Sequence, residues 1–212
     1  MRIWDISMTV DSQMQVYKNR VEKKPVFTVS RDFTTGSVYE SRMALDLHTG
    51  THLDAPLHIL KNGETIDQAD LGKLITPCRV LDLTGVADSI SDHDLMKYQI
   101  KQGDFILFKT HNSFTDDFDE RFVFLDESAA RYLKETQIKG VGIDALGIER
   151  DQAVHPTHKL LMSSDIMILE GLRLSQIKAG DYILIALPLK LSGVEASPVR
   201  AVLIDQFPSI SG

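Results

Sequence analysis

The chain has 212 residues, 43% of them hydrophobic and 25% charged, which is the make-up of a soluble globular protein with a substantial core. Its balance is acidic, with 30 Asp and Glu against 23 Lys and Arg for a net charge of -7, and no basic stripe marks a nucleic-acid binder. The single cysteine, Cys78, excludes a disulfide framework. Nothing reads as a secretory signal or an uncharged membrane span, so a cytoplasmic protein without a membrane partner is expected.

Short apolar runs rich in Val, Ile, Leu and Phe predict strands at residues 43–47, 78–83, 105–109, 140–143, 166–169, 182–187 and 199–204. Several are continuous rather than alternating, as in strands covered on both faces. Helices are expected between them. One starts at Ser91 with a capping-box-like pattern, one runs from a cap at Asp126 through Thr136, and one begins near Pro156 and ends before Ile166. The alternation predicts an α/β fold, and without a low-complexity linker residues 1–212 are assigned to one domain. Residues 99–107 are echoed by 176–184, each read as a helix end, a Gly-Asp turn and a buried strand. Cys78 sits at a strand entry and reads as a buried structural thiol rather than a nucleophile. The acidic run Asp116-Asp117-Phe118-Asp119-Glu120 reads as a solvated loop, because it lacks the glycine of a calcium loop.

The chemistry concentrates in His48-Thr49-Gly50-Thr51-His52-Leu53-Asp54-Ala55-Pro56-Leu57-His58. Gly50 and Pro56 make a plain helix improbable. If the backbone around Thr51 is extended, His52 and Asp54 project to the same side at period two. A turn at Gly50 can then fold His48 back towards them. The result is a three-ligand nitrogen and oxygen site for a divalent cation, with His58 close by as an acid–base group. The absence of cysteine from this run favours a catalytic metal, since structural zinc sites are usually closed and cysteine-rich. Two later features are candidates to complete the site: His158, in His155-Pro156-Thr157-His158, and Glu170, directly after a predicted buried strand. From the residues alone each is open, His158 as a helix-start residue and Glu170 as a solvent-facing strand end.

The run from His48 to His58 carries in full the motif H-x-G-T-H-x-D-x-P-x-H, and by it the chain resembles the cyclase family of metal-dependent hydrolases, which includes bacterial kynurenine formamidases and isatin hydrolases. The resemblance continues through Gly140-Val141-Gly142-Ile143-Asp144, Ile168-Leu169-Glu170-Gly171-Leu172, Leu184-Ile185-Ala186-Leu187-Pro188-Leu189-Lys190 and Ser197-Pro198-Val199-Arg200-Ala201. It implies a swivelling β/β/α fold of β-sheet layers with flanking helices, usually a homodimer or larger oligomer. It also implies that His48, His52 and Asp54 bind one metal, that Asp54 bridges to a second held by His158 and Glu170, and that His58 moves the proton. Zinc is the first expectation and manganese the second, with one or two ions per chain. Formamidases carry a Trp-Pro-Gly-Asp stretch whose tryptophan contacts the substrate; the matching stretch here is Tyr17-Lys18-Asn19-Arg20, which makes Tyr17 the substrate-contact candidate.

The expected reaction is hydrolysis of a small-molecule amide, an aryl formamide of the N-formylkynurenine type first. Alternatives are a cyclic lactam or imide such as isatin, a non-catalytic metal-stabilised binding protein, and a metal-dependent dehydratase or cyclising enzyme.

Overall fold

Phe105 and Leu107 pack into one apolar cluster while Ile106 and Phe108, their alternating neighbours, pack into another. A strand buried in this way on both faces has no polar positions, which is why its sequence is an unbroken apolar run. The structure, a computed structural model, describes residues 1–205. Its regular elements are β1 (Ile3–Asp5), β2 (Val26–Arg31), β3 (Glu40–Ala44), β4 (His52–Asp54), β5 (Ile75–Asp82), β6 (Ser89–Ile90), α1 (Asp92–Met96), β7 (Phe105–Lys109), β8 (Phe124–Leu125), α2 (Glu127–Thr136), β9 (Gly140–Ile143), α3 (Pro156–Met162), β10 (Met167–Glu170), β11 (Gly180–Ile185), β12 (Ala196–Pro198) and β13 (Val202–Ile204).

Nine strands form one mixed sheet in the order β1-β13-β11-β5-β7-β9-β10-β4-β12. The centre, β5-β7-β9-β10, is parallel. The flanks are antiparallel, with β4 lying between β10 and β12. One face of the sheet packs on the helices through Ala129, Ala130 and Leu133 of α2 and Leu161 and Met162 of α3. The other carries Leu53, Leu169, Leu184 and Leu203 in a second core. This is the expected α/β architecture.

Helix starts follow their caps. Ser91 and Asp94 form a reciprocal capping box on α1, and the Asp126 carboxylate accepts the Ala129 N–H at the start of α2. Pro156 occupies the first turn of α3, where its missing N–H costs nothing. Cys78 is buried in β5, and burial pushes its thiol up to about 12, which keeps it protonated and inert.

Three expectations need correction. The strand expected at 43–47 is β3, which ends at Ala44 and pairs only with β2 in a ribbon exposed along its whole length. An apolar run reports strand preference, not what covers the strand. The strand expected at 199–204 is interrupted: Val199 makes an isolated bridge with Pro188, and β13 starts at Val202. The internal echo leads into β7 and β11, which both border β5, but α1 already ends at Met96 and no helix lies between β10 and β11. The repeated unit is a turn and a strand.

Candidate metal centre

Strand β4 places the central pair. His52 and Asp54 share one side of it, while Leu53 between them is fully buried in the second core. The register with β10 sets Glu170 directly opposite His52. Gly50, at φ +63, makes the turn that returns His48 to the same spot, in the left-handed region that glycine enters without strain. After Pro56 the chain closes a single 3-10 turn ending at His58. His158 arrives from the first turn of α3. His48, His52, His58, His158 and Glu170 therefore line one cavity of about 300 Å³ together with Tyr17, and Asp54 lies within 3.7 Å of His48, His52 and His158.

The contacts within the cluster are those of converging donor atoms. Asp54 Oδ1 lies 2.9 Å from His48 Nδ1 and 3.5 Å from His52 Nε2, and Asp54 Oδ2 lies 3.7 Å from His158 Nε2. Glu170 Oε2 is 3.2 Å from His52 Nε2 and its Oε1 is 3.5 Å from His158 Nε2. None of these contacts has hydrogen-bond direction at Asp54. Both its oxygens, His48 Nε2 and His52 Nε2 are buried without a hydrogen-bond partner. Buried orphaned acceptors are costly. A divalent cation among three imidazole nitrogens and two carboxylates removes that cost, so the residues fit such an ion.

The far side of two imidazoles is fixed. His52 Nδ1 donates to the Gly50 carbonyl at 2.9 Å. His158 Nδ1 donates to Glu149 Oε2 at 2.8 Å, and the backbone N–H of His158 donates to the same oxygen at 2.9 Å. A carbonyl only accepts, so Nδ1 of His52 carries a proton and Nε2 is the atom turned to the cluster, available as a ligand once its own proton leaves. Glu170 Oε1 is held in turn by the Ile148 N–H at 2.5 Å. Glu149 and the Gly50 carbonyl were not singled out in the sequence. No local signal marks them, because any carboxylate or carbonyl brought to the right place serves.

The electrostatics follow from burial and mutual charge. Burial pulls the His52 imidazole down, but Glu170 and Asp54 outweigh it and take it up to about 9. His158 is raised well above the usual histidine range against the same burial penalty by Asp54, Glu149 and Glu170. Burial and Asp54 both push Glu170 up, yet His158 and His52 hold it at about 2. Asp54 lies well below the carboxylate range because His158 and His48 overcome its burial. In the protein alone, protons therefore occupy positions that a cation would take. His58 is different. It is open to solvent on one side, and burial with the neighbouring His48 and His158 holds it below the ordinary value against the pull of Asp54. Its ring stands 4.2 Å from His48 and 5.6 Å from His158, centroid to centroid.

Tyr17 forms the aromatic wall. Its ring is held edge-on by Phe118 at 5.4 Å and Phe122 at 6.4 Å, and burial raises its phenol, which stays protonated.

The family model that describes a putative cyclase matches residues 4–150. The chain belongs to the putative cyclase family. This family member is 34% identical over 208 residues to a kynurenine formamidase of Salinibacter ruber, covering 97% of this chain and 98% of that one. A solved structure described as a potential metal-dependent hydrolase with cyclase activity superposes with a TM-score of 0.91 at 48% identity, covering 98% of this chain and 99% of the other. Isatin hydrolase A of Labrenzia aggregata has the same fold, with a TM-score of 0.83 at 23% identity over 97% of this chain and 94% of its own.

Proposed function

We propose that this cyclase-family chain is one metal-dependent hydrolase domain acting on a small-molecule amide, with an aryl formamide as its first substrate. The observation that carries the reading is the convergence of His48, His52, Asp54, His158 and Glu170, with both Asp54 oxygens and His52 Nε2 buried without a hydrogen-bond partner, beside a cavity with an aromatic wall. The kynurenine formamidase relatives support the choice of substrate.

The five donors would hold zinc, or manganese as the second choice. Asp54 belongs to two groups of facing ligand atoms, one with His48 and His58 and one with His52 and Glu170, which allows either one ion or two. When bound, such an ion supplies Lewis-acid activation of water and of the amide carbonyl. The protein's own part is proton transfer and orientation. Because the His58 imidazole sits below its ordinary value, it is neutral at neutral pH and free to take the proton of the attacking water at a ring nitrogen. As the carbon–nitrogen bond breaks, His58 returns that proton to the leaving nitrogen, which departs as an amine beside the released formate. Tyr17 offers its ring face to the aryl group, and Glu149 and Gly50 keep the imidazoles of His158 and His52 from turning.

A homo-oligomer agrees with the exposed β2–β3 ribbon, whose Phe27 and Met43 lie opposite each other in open solvent. A cytoplasmic site of action agrees with the unpaired Cys78, and no helix among the described residues is long and apolar enough to cross a membrane.

The test is N-formylkynurenine hydrolysis by matched metal-free and metal-reconstituted samples of known metal content. Metal-dependent release of formate at an enzyme-like rate supports the reading. Bound metal with no turnover of this or any other formanilide rejects it.

A further inference from the structure

Glu149 uses only one of its carboxylate oxygens. Oε2 accepts both hydrogen bonds from His158, while Oε1 is buried and has no hydrogen-bond partner. The whole side chain is closed off, with a relative exposure of 0%. A buried anionic oxygen without a donor is costly, so its surroundings ask for a cation or a bound water. Glu149 lies outside the five donors of the cluster, and this oxygen has no part in the reaction described above.

His155 supplies a second donor. Its exposed imidazole makes no hydrogen bond and no ion pair among the described residues, and its ring stands 6.1 Å from that of His158, centroid to centroid. The residue caps α3 with φ of 50 and ψ of 61, in the left-handed region, although a residue before proline ordinarily prefers an extended backbone. A ring nitrogen of His155, a carboxylate oxygen of Glu149 and a ring nitrogen of His158 lie within 4.8 Å of one another. All three residues line the cavity beside the cluster.

His158 cannot serve both groups. Its Nδ1 donates to Glu149, and its Nε2 faces Asp54 and Glu170. An ion in the cavity wall is therefore held by His155 and Glu149, with water in its remaining positions. An imidazole and a carboxylate suit zinc and its neighbours in the first transition row, whereas calcium and magnesium favour shells of oxygen alone. With fewer protein ligands, this position binds more weakly than the cluster.

We propose that His155 and Glu149 form a separate, weaker site for a divalent cation of the zinc type, and that an ion there inhibits the protein. It would stand in the cavity that substrate must enter, and it would draw charge from the carboxylate that supports His158. The binding stands on the geometry of Glu149 and His155; the inhibition rests on the reading of the cluster as an amide hydrolase.

The test dialyses protein with a filled cluster against rising zinc, counting bound zinc per chain and following N-formylkynurenine turnover in parallel. One further, weaker equivalent is expected, and turnover should fall as it fills. His155→Asn keeps a residue that enters the left-handed region readily and removes the imidazole. It should leave basal turnover unchanged and weaken the further equivalent by about 10- to 100-fold or more, since even an outer partner of a metal ligand is worth that much. His155→Asp, which offers a carboxylate in the same place, should retain part of the binding and of the inhibition. A loaded protein that takes up no further zinc leaves Glu149 Oε1 to a water and overturns the proposal. A weak equivalent that survives His155→Asn belongs to the cluster and overturns it too, as does one that raises turnover. If no amide is cleaved at all, the hydrolase reading fails, and a further equivalent that depends on His155 still upholds the cation site.

Discussion

Glu149 accepts two hydrogen bonds from a single residue, the backbone N–H of His158 at 2.9 Å and its imidazole Nδ1 at 2.8 Å. The pair fixes both the start of α3 and the rotation of the ring that α3 delivers, so the direction of His158 Nε2 is set from outside the cluster. Glu149→Gln keeps an accepting oxygen but removes the charge that makes the imidazole a stronger ligand. Metal affinity is expected to fall by about 10- to 100-fold, as measured by competition with a chromogenic chelator. An unchanged affinity would show that His158 is not a ligand or needs no support.

His58→Ala should lower kcat by roughly 10²- to 10⁴-fold while metal content stays the same. The acid limb of the wild-type pH–rate profile should also fall below pH 6.5, because burial and the His48 and His158 imidazoles hold His58 below that ordinary value. A nearby divalent cation would push it further in the same direction. A limb that persists unaltered in the His58→Ala protein would assign it to another group.

How legible these features are in the sequence depends on how local they are. His52 and Asp54 are two residues apart on one strand, so their common side follows from the period of an extended chain. The bounds of β7 and β9 likewise agree with their apolar runs, since burial on both faces leaves a continuous signal. His158 and Glu170 are ambiguous from their own surroundings because what brings them together is non-local: the β4–β10 register for Glu170 and the docking of α3 for His158. The exposure of the ribbon of β2 and β3 is not legible for the converse reason, as strand-forming residues do not disclose whether a core lies beside them.

Removing the metal should leave a protein whose stability depends on pH in two directions. His52 is raised from 6.5 to about 9 in the folded state, so its contribution is fully present below pH 6.5 and is lost as pH rises through about 9. Glu170 is lowered from 4.5 to about 2, so its contribution is present above pH 4.5 and is lost as pH falls through about 2. The chelator-treated protein should therefore melt highest between about pH 4.5 and 6.5 and lose stability towards pH 9. Protons and cations compete for the same nitrogens, so metal affinity should rise with pH over that alkaline window. Thermal melts of metal-free and metal-loaded protein across a pH series check both statements; a metal-free protein that gains stability from pH 6.5 to 9 would contradict them.

Gly171→Ala tests the backbone that supports the cluster. Gly171 follows Glu170 with φ +69, and an added Cβ would lie 2.2 Å from the Gly50 carbonyl oxygen and 3.1 Å from the Thr51 nitrogen. That carbonyl holds His52 Nδ1, and the Thr51 hydroxyl donates to the Gly171 carbonyl at 2.5 Å. The obstacle is backbone, which cannot swing aside as a flexible side-chain end can. Relief of the contact must move the Gly50 turn, and with it His48 and the carbonyl that orients His52. A loss of about 2 kcal/mol or more is expected from the left-handed strain and the overpacking together. Denaturant unfolding of the metal-free protein would measure it. The variant should also bind metal more weakly even at temperatures where it is fully folded, because the displaced carbonyl no longer holds His52. A variant that loses stability but keeps wild-type metal affinity would show that the crossing of Gly171 over Gly50 supports the fold alone.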